Sequence, residues 1–416
     1  MVRNLLCLAA LNRRNRRATR LLWYWTLELV TSASVTLPPP SSLSPVPAIV
    51  PPPAATAPVR FPLGWLLEHS AAPIRYRAMT EVARLPSQSA ERLSFLPFTH
   101  RPALMLAMLQ GTDGTWSHNM LTLPSARSDH FEGVGTINAV RRLLEYGWDK
   151  ETPPLLLARR VLFRLLAEDD DPEWLFEFGG KAVAGDEDLA RRGRAILREA
   201  AAAALAQAGY EGDPRLRGAA RRILDRVVGF LRSPLAQKPF VRVGNQHVLA
   251  AEAAPPSIFA LTMLAYMPLF RTEHYDAMDR LYQHVIQPLP RQEPFQLCGK
   301  KPVSQPHLVL GDWLPNRNVA DADVPQAMMW LELLARLGYL RRNENWAKLF
   351  DRFLDDRDGE GVWHPHKGTS VAKSSNPFVW PMYPLEENLA GDERWTDITF
   401  RLGLIARLSG RTIEIV

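Results

Sequence analysis

The feature that most constrains the fold is the spacing of the apolar residues, which recur with helical periodicity from Phe61 to the end of the chain. Proline often stands near the start of a predicted helix, where its missing N–H is tolerated. The periodicity predicts helices at 74–85, 102–110, 135–146, 154–167, 189–208, 215–231, 257–269, 274–286, 324–340, 345–354 and 395–408. We therefore predict an all-α fold, in which only the final RTIEIV segment has the pattern of a strand.

The predicted helices differ in how their apolar residues are distributed. The helix at 324–340 is apolar nearly all round, whereas the helices at 189–208 and 215–231 carry charged stripes beside one apolar face. This contrast indicates an inner and an outer layer. Short connections rich in Gly, Pro and Asp predict antiparallel neighbours, and both a ring of helical hairpins around a cavity and a plain globular bundle fit the periodicity.

The first sixty residues have a different composition from the rest of the chain. They contain seven Arg, a single acidic residue (Glu28) and nine Pro between Pro38 and Pro58. This segment accounts for the whole net charge of +6, so residues 61–416 are neutral and nothing in their charge indicates a nucleic-acid partner. We predict a disordered, basic and Pro-rich leader at 1–60, followed by one domain at 61–416.

The cysteines and the leader are the two features that bear on where in the cell we expect the protein to be. Cys7 and Cys298 cannot form a disulfide framework, which favours a reducing compartment and a cytoplasmic location. Trp23-Tyr24-Trp25 lies close to the arginine-rich segment. A misassigned start, a secretory signal and peripheral contact with an anionic membrane surface all remain open for this leader.

Two segments combine the end of a helix with a Gly-x-Trp turn. In the first, a helix ends at Gln110, and Gly114-Thr115-Trp116 follows after a turn. A glutamine at the end of a helix can bond loose backbone groups of a neighbouring connection, while the glycine permits a tight turn and the tryptophan covers the helix end. The second, Gly361-Val362-Trp363, lacks the glutamine and lies 247 residues further along the chain.

These turns resemble the Gln-Trp repeat of the terpenoid cyclase and protein prenyltransferase superfamily, which includes the squalene cyclases. The resemblance implies an α/α toroid with a hydrophobic isoprenoid or lipid ligand and no cofactor. Asp321-Ala322-Asp323 opens the most apolar helix and is similar to the Asp-x-Asp-Asp-Thr-Ala acid motif of class II terpene cyclases, with Val324 in place of the last Asp. The resemblance makes Asp323 the general acid and Asp321 its neighbour.

Proton-initiated cyclisation would need a neutral carboxyl group in a dry pocket and aromatic faces around the cation that forms. The aromatic residues nearest in sequence to the acid motif are Trp313, Trp330, Trp363, Trp380 and Tyr383. Their alternative role is ordinary core packing, and the alternative role of either aspartate is an N-cap.

Other functions also fit the predicted fold. They include a non-catalytic toroid that acts as a scaffold or binds lipid, and an (α/α)6 carbohydrate-active enzyme with paired acids in an open polar groove. Cys298, His364 and His366 do not make up the set of ligands that a zinc site requires. We therefore predict no metal site.

Overall fold

A computed structural model describes residues 57–125, 131–167, 170–180, 186–298, 301–314, 319, 321–365, 374 and 376–416. These residues belong to one compact unit that spans Thr56–Val416. The predicted leader at 1–60 lies almost wholly outside the described residues, whereas the predicted domain at 61–416 falls within this unit.

Helices make up most of this unit. The α-helices are α1 (Leu63–His69), α2 (Ala72–Arg77), α3 (Ser87–Arg92), α4 (Arg101–Met108), α5 (Thr136–Glu145), α6 (Pro153–Leu165), α7 (Glu187–Gln207), α8 (Pro214–Arg232), α9 (Ile258–Ala265), α10 (Pro268–Glu273), α11 (Tyr275–Val285), α12 (Val324–Leu337), α13 (Glu344–Asp355) and α14 (Thr396–Leu408). A π-helical turn lies at Ala78–Val82, and 3₁₀ turns lie at Leu96–Thr99, Pro172–Phe178, Pro234–Ala236, Asp321–Asp323, Leu340–Arg342 and Gly391–Trp395. The helix-rich prediction is confirmed.

Two predicted helices are each divided in the structure. The stretch 74–85 begins as α2 and continues as the π-helical turn, and the stretch 257–269 is interrupted between α9 and α10. Pro268 opens α10, and because proline has no N–H and disfavours a helical residue before it, α9 cannot run through this position.

Six short strands make the fold helix-rich rather than purely helical. Strand β1 (Val59–Phe61) pairs in parallel with β6 (Ile413–Ile415), which confirms the predicted terminal strand. A second sheet has the order β2 (Phe240–Val243), β3 (Gln246–Leu249), β4 (Phe295–Cys298) and β5 (Lys301–Ser304). The sequence analysis missed it, although Gly244 between two Val-containing runs is a hairpin signal.

The buried helices pack on one another in series. Every residue of α9 is buried, and α9 contacts both α7 and α12, while α12 contacts α14. Helix α7 also contacts α5, and α14 contacts α2 and the π-helical turn. The alanine-rich stretch Ala200–Ala206 of α7 is buried, so the charged stripe of this helix is confined to its first half.

Long and short connections alternate along the chain. Long connections at 109–135, 166–186, 233–257, 286–323 and 356–395 precede α5, α7, α9, α12 and α14, whereas short ones follow most of these helices. Side-chain caps fix two of the starts: Asp186 accepts from Leu189 N–H at 3.1 Å, and Ser257 Oγ accepts from Ala260 N–H at 3.0 Å. Long connections are where binding residues concentrate in many folds.

In the part of the chain that is described, no helix has both the length and the apolar character needed to cross a membrane.

Candidate functional site

The strongest candidate site is an apolar cavity of about 300 Å³. It lies where the first turns of α5, α7 and α9 meet the segments 303–307 and 377–378. Its walls include Phe178, Ile196 and Phe259. A mostly apolar cavity of this size is at the lower end of the range for small-molecule sites.

Arg192 lines the apolar cavity but is fully engaged by protein groups. Its Nε donates to Asp188 Oδ2 at 3.0 Å, its Nη1 donates to Gln296 Oε1 at 2.7 Å, and its Nη2 donates to the Ala251 carbonyl at 2.9 Å. These bonds hold the guanidinium against the wall, so its charge is already compensated by Asp188.

Arg141 lines the same cavity and differs from Arg192 in its partners. Its Nε donates to Gln207 Oε1 at 3.0 Å, and no described residue accepts a hydrogen bond from its two terminal nitrogens. Burial lowers the pKa of Arg141 from its usual value. Electrostatic interactions with Tyr266, Glu145 and Glu332 raise it and so offset part of this shift. A guanidinium remains ionised in a protein despite such a shift. Arg141 therefore lines the cavity as a cation whose terminal donors are not used by any described residue.

Behind Arg141 lies a charged centre formed by Arg77, Glu145, Glu332, Arg336 and Arg401. Arg401 donates to Glu145 Oε2 and to Glu332 Oε2, both at 2.7 Å. Arg77 Nη1 also donates to Glu145 Oε2 at 2.5 Å, and Arg336 Nη2 donates to Glu332 Oε1 at 2.9 Å. Both carboxylates are thus shared between two guanidinium groups, as buried charges require.

The pKa of Glu145 reflects this arrangement. Burial alone would raise it, but the charges of Arg77 and Arg401 overcome that effect and lower the pKa to about 2. Glu332 follows the same pattern, because Arg401 and Arg336 outweigh its burial and lower its pKa. The charged centre consequently stays ionised at neutral pH.

A second cavity of about 30 Å³ adjoins the charged centre. Its lining includes Glu145, Glu332 and Arg336, and it shares Arg141 and Phe378 with the apolar cavity. Arg141 therefore stands at the boundary between the apolar cavity and the charged centre.

His307 lines the apolar cavity beside Phe259, with 6.4 Å between the ring centroids. Burial lowers the pKa of His307 to about 4, and the opposing charge of Glu199 does not reverse the shift. The imidazole is therefore neutral at pH 7.

The predicted acid motif lies apart from both cavities. Asp321–Asp323 forms the 3₁₀ turn before α12, and Asp323 is partly exposed. Asp323 lines neither the apolar cavity nor the smaller one, and the side chain of Asp321 lies outside the described part of the structure. Val324 is buried at the first position of α12.

Of the five predicted aromatic residues, Trp313 packs against a wall residue of the apolar cavity. Its ring packs against Trp330 at 6.0 Å and against Phe378 at 5.7 Å, and Phe378 is a wall of the cavity. Trp330 is fully buried and donates through Nε1 to Asp312 Oδ1 at 2.8 Å. Trp313 therefore supports a wall residue from behind.

The remaining three predicted aromatic residues pack elsewhere in the core. Trp363 is buried with Trp395 at 6.2 Å, Trp380 lies under the guanidinium of Arg142 at 5.2 Å, and Tyr383 is buried. Burial raises the pKa of Tyr383, so its hydroxyl is protonated at neutral pH. None of the three lines the apolar cavity.

The glutamine of the first Gly-x-Trp segment has the predicted role. Gln110 Nε2 donates to the Gly114 carbonyl at 3.1 Å and to the Pro154 carbonyl at 2.8 Å, which ties the end of α4 to the start of α6. Trp116 is fully buried and its Nε1 donates to the Leu106 carbonyl at 2.7 Å. The Leu106 carbonyl lies in the last turn of α4, where a helix leaves carbonyls without their usual partners.

A third Gly-x-Trp turn, Gly311-Asp312-Trp313, was missed in the sequence analysis. Gly311 has a φ of 157°, and a Cβ at this position would lie 2.5 Å from the Gln287 carbonyl oxygen. It precedes the buried helix α12, as the other two turns precede α5 and α14. Trp313 lies fifty residues before Trp363, and this spacing is the sequence signal for the third turn.

The sequence analysis also missed the polar and charged residues at the two cavities. Asn138, Arg141 and Glu145 stand on one face of α5 at helical spacing, and Glu332 and Arg336 do so in the otherwise apolar α12. Charges inside helices that must be buried indicate a paired or functional interior. The spacing of these charges in α5 and α12 is thus the sequence signal for a buried charged interior.

The described residues contain no group of three or more His, Cys, Asp or Glu side chains placed to hold a metal ion. Cys298 is buried, and His364 Nε2 lies 3.0 Å from Asp358 Oδ2. His366 lies outside the described residues.

The chain matches no protein-family model, no curated protein and no solved structure.

Proposed function

We propose that residues 61–416 form an α/α toroid that binds a small, mostly apolar molecule in the apolar cavity. The contacts of α5 with α7, α7 with α9, α9 with α12, and α12 with α14 support a ring of inner helices. The contact of α14 with α2, together with the ion pair between Arg77 of α2 and Glu145 of α5, supports its closure. The cavity lies at the end of this ring where the long connections enter.

The observation that carries the proposal is the apolar cavity of about 300 Å³ with phenylalanine walls. None of its described lining residues is Asp or Glu. Proton-initiated cyclisation needs a carboxylic acid in contact with the substrate, and glycoside hydrolysis usually needs two. The lining therefore favours binding over either of these reactions in this cavity.

Displacement of a neutral apolar dye tests the proposal. Nile red fluorescence should increase on addition of the protein and should fall when decanol competes for the cavity. Ile196→Trp and Leu189→Trp place an indole in the cavity, so each should weaken dye binding at least tenfold by removing the space that the dye occupies.

The matched control is Leu269→Trp, because Leu269 is 65% exposed and lies outside the cavity. Thermal unfolding of each variant shows whether it is folded at the assay temperature. Dye binding that is equal in the wild type and in both folded cavity variants would contradict the proposal.

A relation to the terpenoid cyclases is supported by the bonds of Gln110 and by the recurrence of the Gly-x-Trp turn before α5, α12 and α14. If the chain has cyclase activity, squalene or farnesyl diphosphate should give a cyclised product that Asp323→Asn abolishes. An unchanged product in that variant would remove Asp323 as the acid.

A further inference from the structure

We propose that the ligand of the apolar cavity is an apolar molecule with a single carboxylate, and that Arg141 binds this carboxylate. The inference rests on the proposed function and adds the chemical class of the ligand and the residue that selects it.

Arg141 differs from the other guanidinium groups around it in having terminal donors that no described protein group uses. Arg77, Arg336 and Arg401 each donate to at least one carboxylate, and Arg192 donates to Asp188. Arg141 donates only through Nε, to the neutral amide oxygen of Gln207. Its Nη1 and Nη2 therefore remain for a partner inside the cavity.

The nearby carboxylates are already occupied by other partners. Glu145 accepts from Arg77 and Arg401, and its Oε1 accepts from Gln207 Nε2 at 2.8 Å. The Gln207 amide thus bridges Arg141 and Glu145 by hydrogen bonds to both. The charge of Arg141 is consequently the one that a ligand anion can neutralise.

The surroundings of Arg141 match a ligand with one charged end and an apolar body. Phe259 and Phe378 supply apolar walls, and His307 is neutral. The N-terminal turns of α5, α7 and α9 border the cavity and add positive potential, which favours an anion. A guanidinium and a carboxylate can form two parallel hydrogen bonds, and one available guanidinium matches one negative charge.

The test compares decanoate with decanol, which share a chain and differ in charge. Isothermal titration at neutral pH should give the wild type a Kd for decanoate about tenfold or more below its Kd for decanol, the difference expected for a charge-assisted hydrogen bond. Arg141→Met should lose the preference for decanoate, because the apolar side chain keeps the volume but removes the donors that offset the desolvation of the carboxylate. Arg191→Met is the control, since Arg191 is an exposed cation next to Arg192 and should leave the preference unchanged.

The outcomes separate the two proposals. If both compounds bind the wild type equally, the carboxylate inference fails and the apolar cavity remains a binding site. A preference for decanoate that persists in Arg141→Met would also overturn the inference. Tighter binding of decyl phosphate than of decanoate would replace the carboxylate by a dianion. If neither decanoate nor decanol binds, the proposed function itself fails.

Discussion

The interior of this protein contains two regions that use buried charge in opposite ways. In the charged centre, two carboxylates are shared among Arg77, Arg336 and Arg401, and the cavity that adjoins them has a volume of about 30 Å³. In the apolar cavity of about 300 Å³, Arg141 has an amide as its only described partner. This difference underlies our proposal that the cavity receives a molecule, whereas the charged centre joins helices through its ion pairs.

The largest expected effect concerns the charged centre. Arg401→Met would leave Glu145 and Glu332 each without one of its cationic partners, and breaking a buried ion pair in this way costs about 3–5 kcal/mol of unfolding free energy. Urea denaturation measures the change. The control is Arg217→Met, which removes a more exposed pair with Glu273 and should cost less than about 1 kcal/mol. Equal losses in the two variants would mean that the centre contributes no more than a surface pair.

The next prediction uses the pH dependence of stability to distinguish the apolar cavity from the charged centre. The pKa of His307 is about 4 in the folded protein, below its unfolded value, so the unfolded chain binds the proton first and stability falls as the pH drops from about 6.5 to 4. Protonation of His307 should lower the unfolding free energy by roughly 3 kcal/mol over this pH range. Glu145, with its folded pKa of about 2, keeps its charge over that range, and its contribution to stability is lost as the pH falls from about 4.5 to 2.

His307→Gln removes this titration, and urea denaturation at pH 7 and pH 4.5 measures it. The variant should lose less stability than the wild type between these two pH values. The same loss in both proteins would show that His307 is not kept neutral by the fold.

The smallest effect on stability is expected at Arg141. Arg141→Met removes a buried charge that no described carboxylate contacts, so the unfolding free energy should change by less than about 1 kcal/mol or increase. Urea denaturation beside Arg401→Met gives the comparison. A loss as large as that of Arg401→Met would make Arg141 part of the charged centre and erase the distinction between the two regions.

The sequence predicted the parts of the fold that depend on local pattern. Helical periodicity and proline placement located α5, α7, α8 and α12 to within a few residues, because amphipathicity is set by neighbours along the chain. The sheet at β2–β5 was missed because its strands have only four residues each and because the β3–β4 pairing, which joins its two local hairpins, connects segments that are distant in the sequence.

The candidate site was harder to predict because it depends on distant contacts. Glu145 and Arg401 are 256 positions apart, and no spacing rule connects them. The acid motif at Asp321–Asp323 is a local pattern and stood out, yet the cavity formed elsewhere, from the first turns of three different helices. Arg141 has no local motif, and only its partners distinguish it from Arg142 beside it.

The most direct test is a crystal structure of the protein with decanoate. We expect electron density for the chain between Phe259 and Phe378, with the carboxylate within hydrogen-bond distance of Nη1 and Nη2 of Arg141. Decanoate bound beside Asp323, or only on the surface with the apolar cavity empty, would contradict the distinction between the charged centre and the ligand cavity.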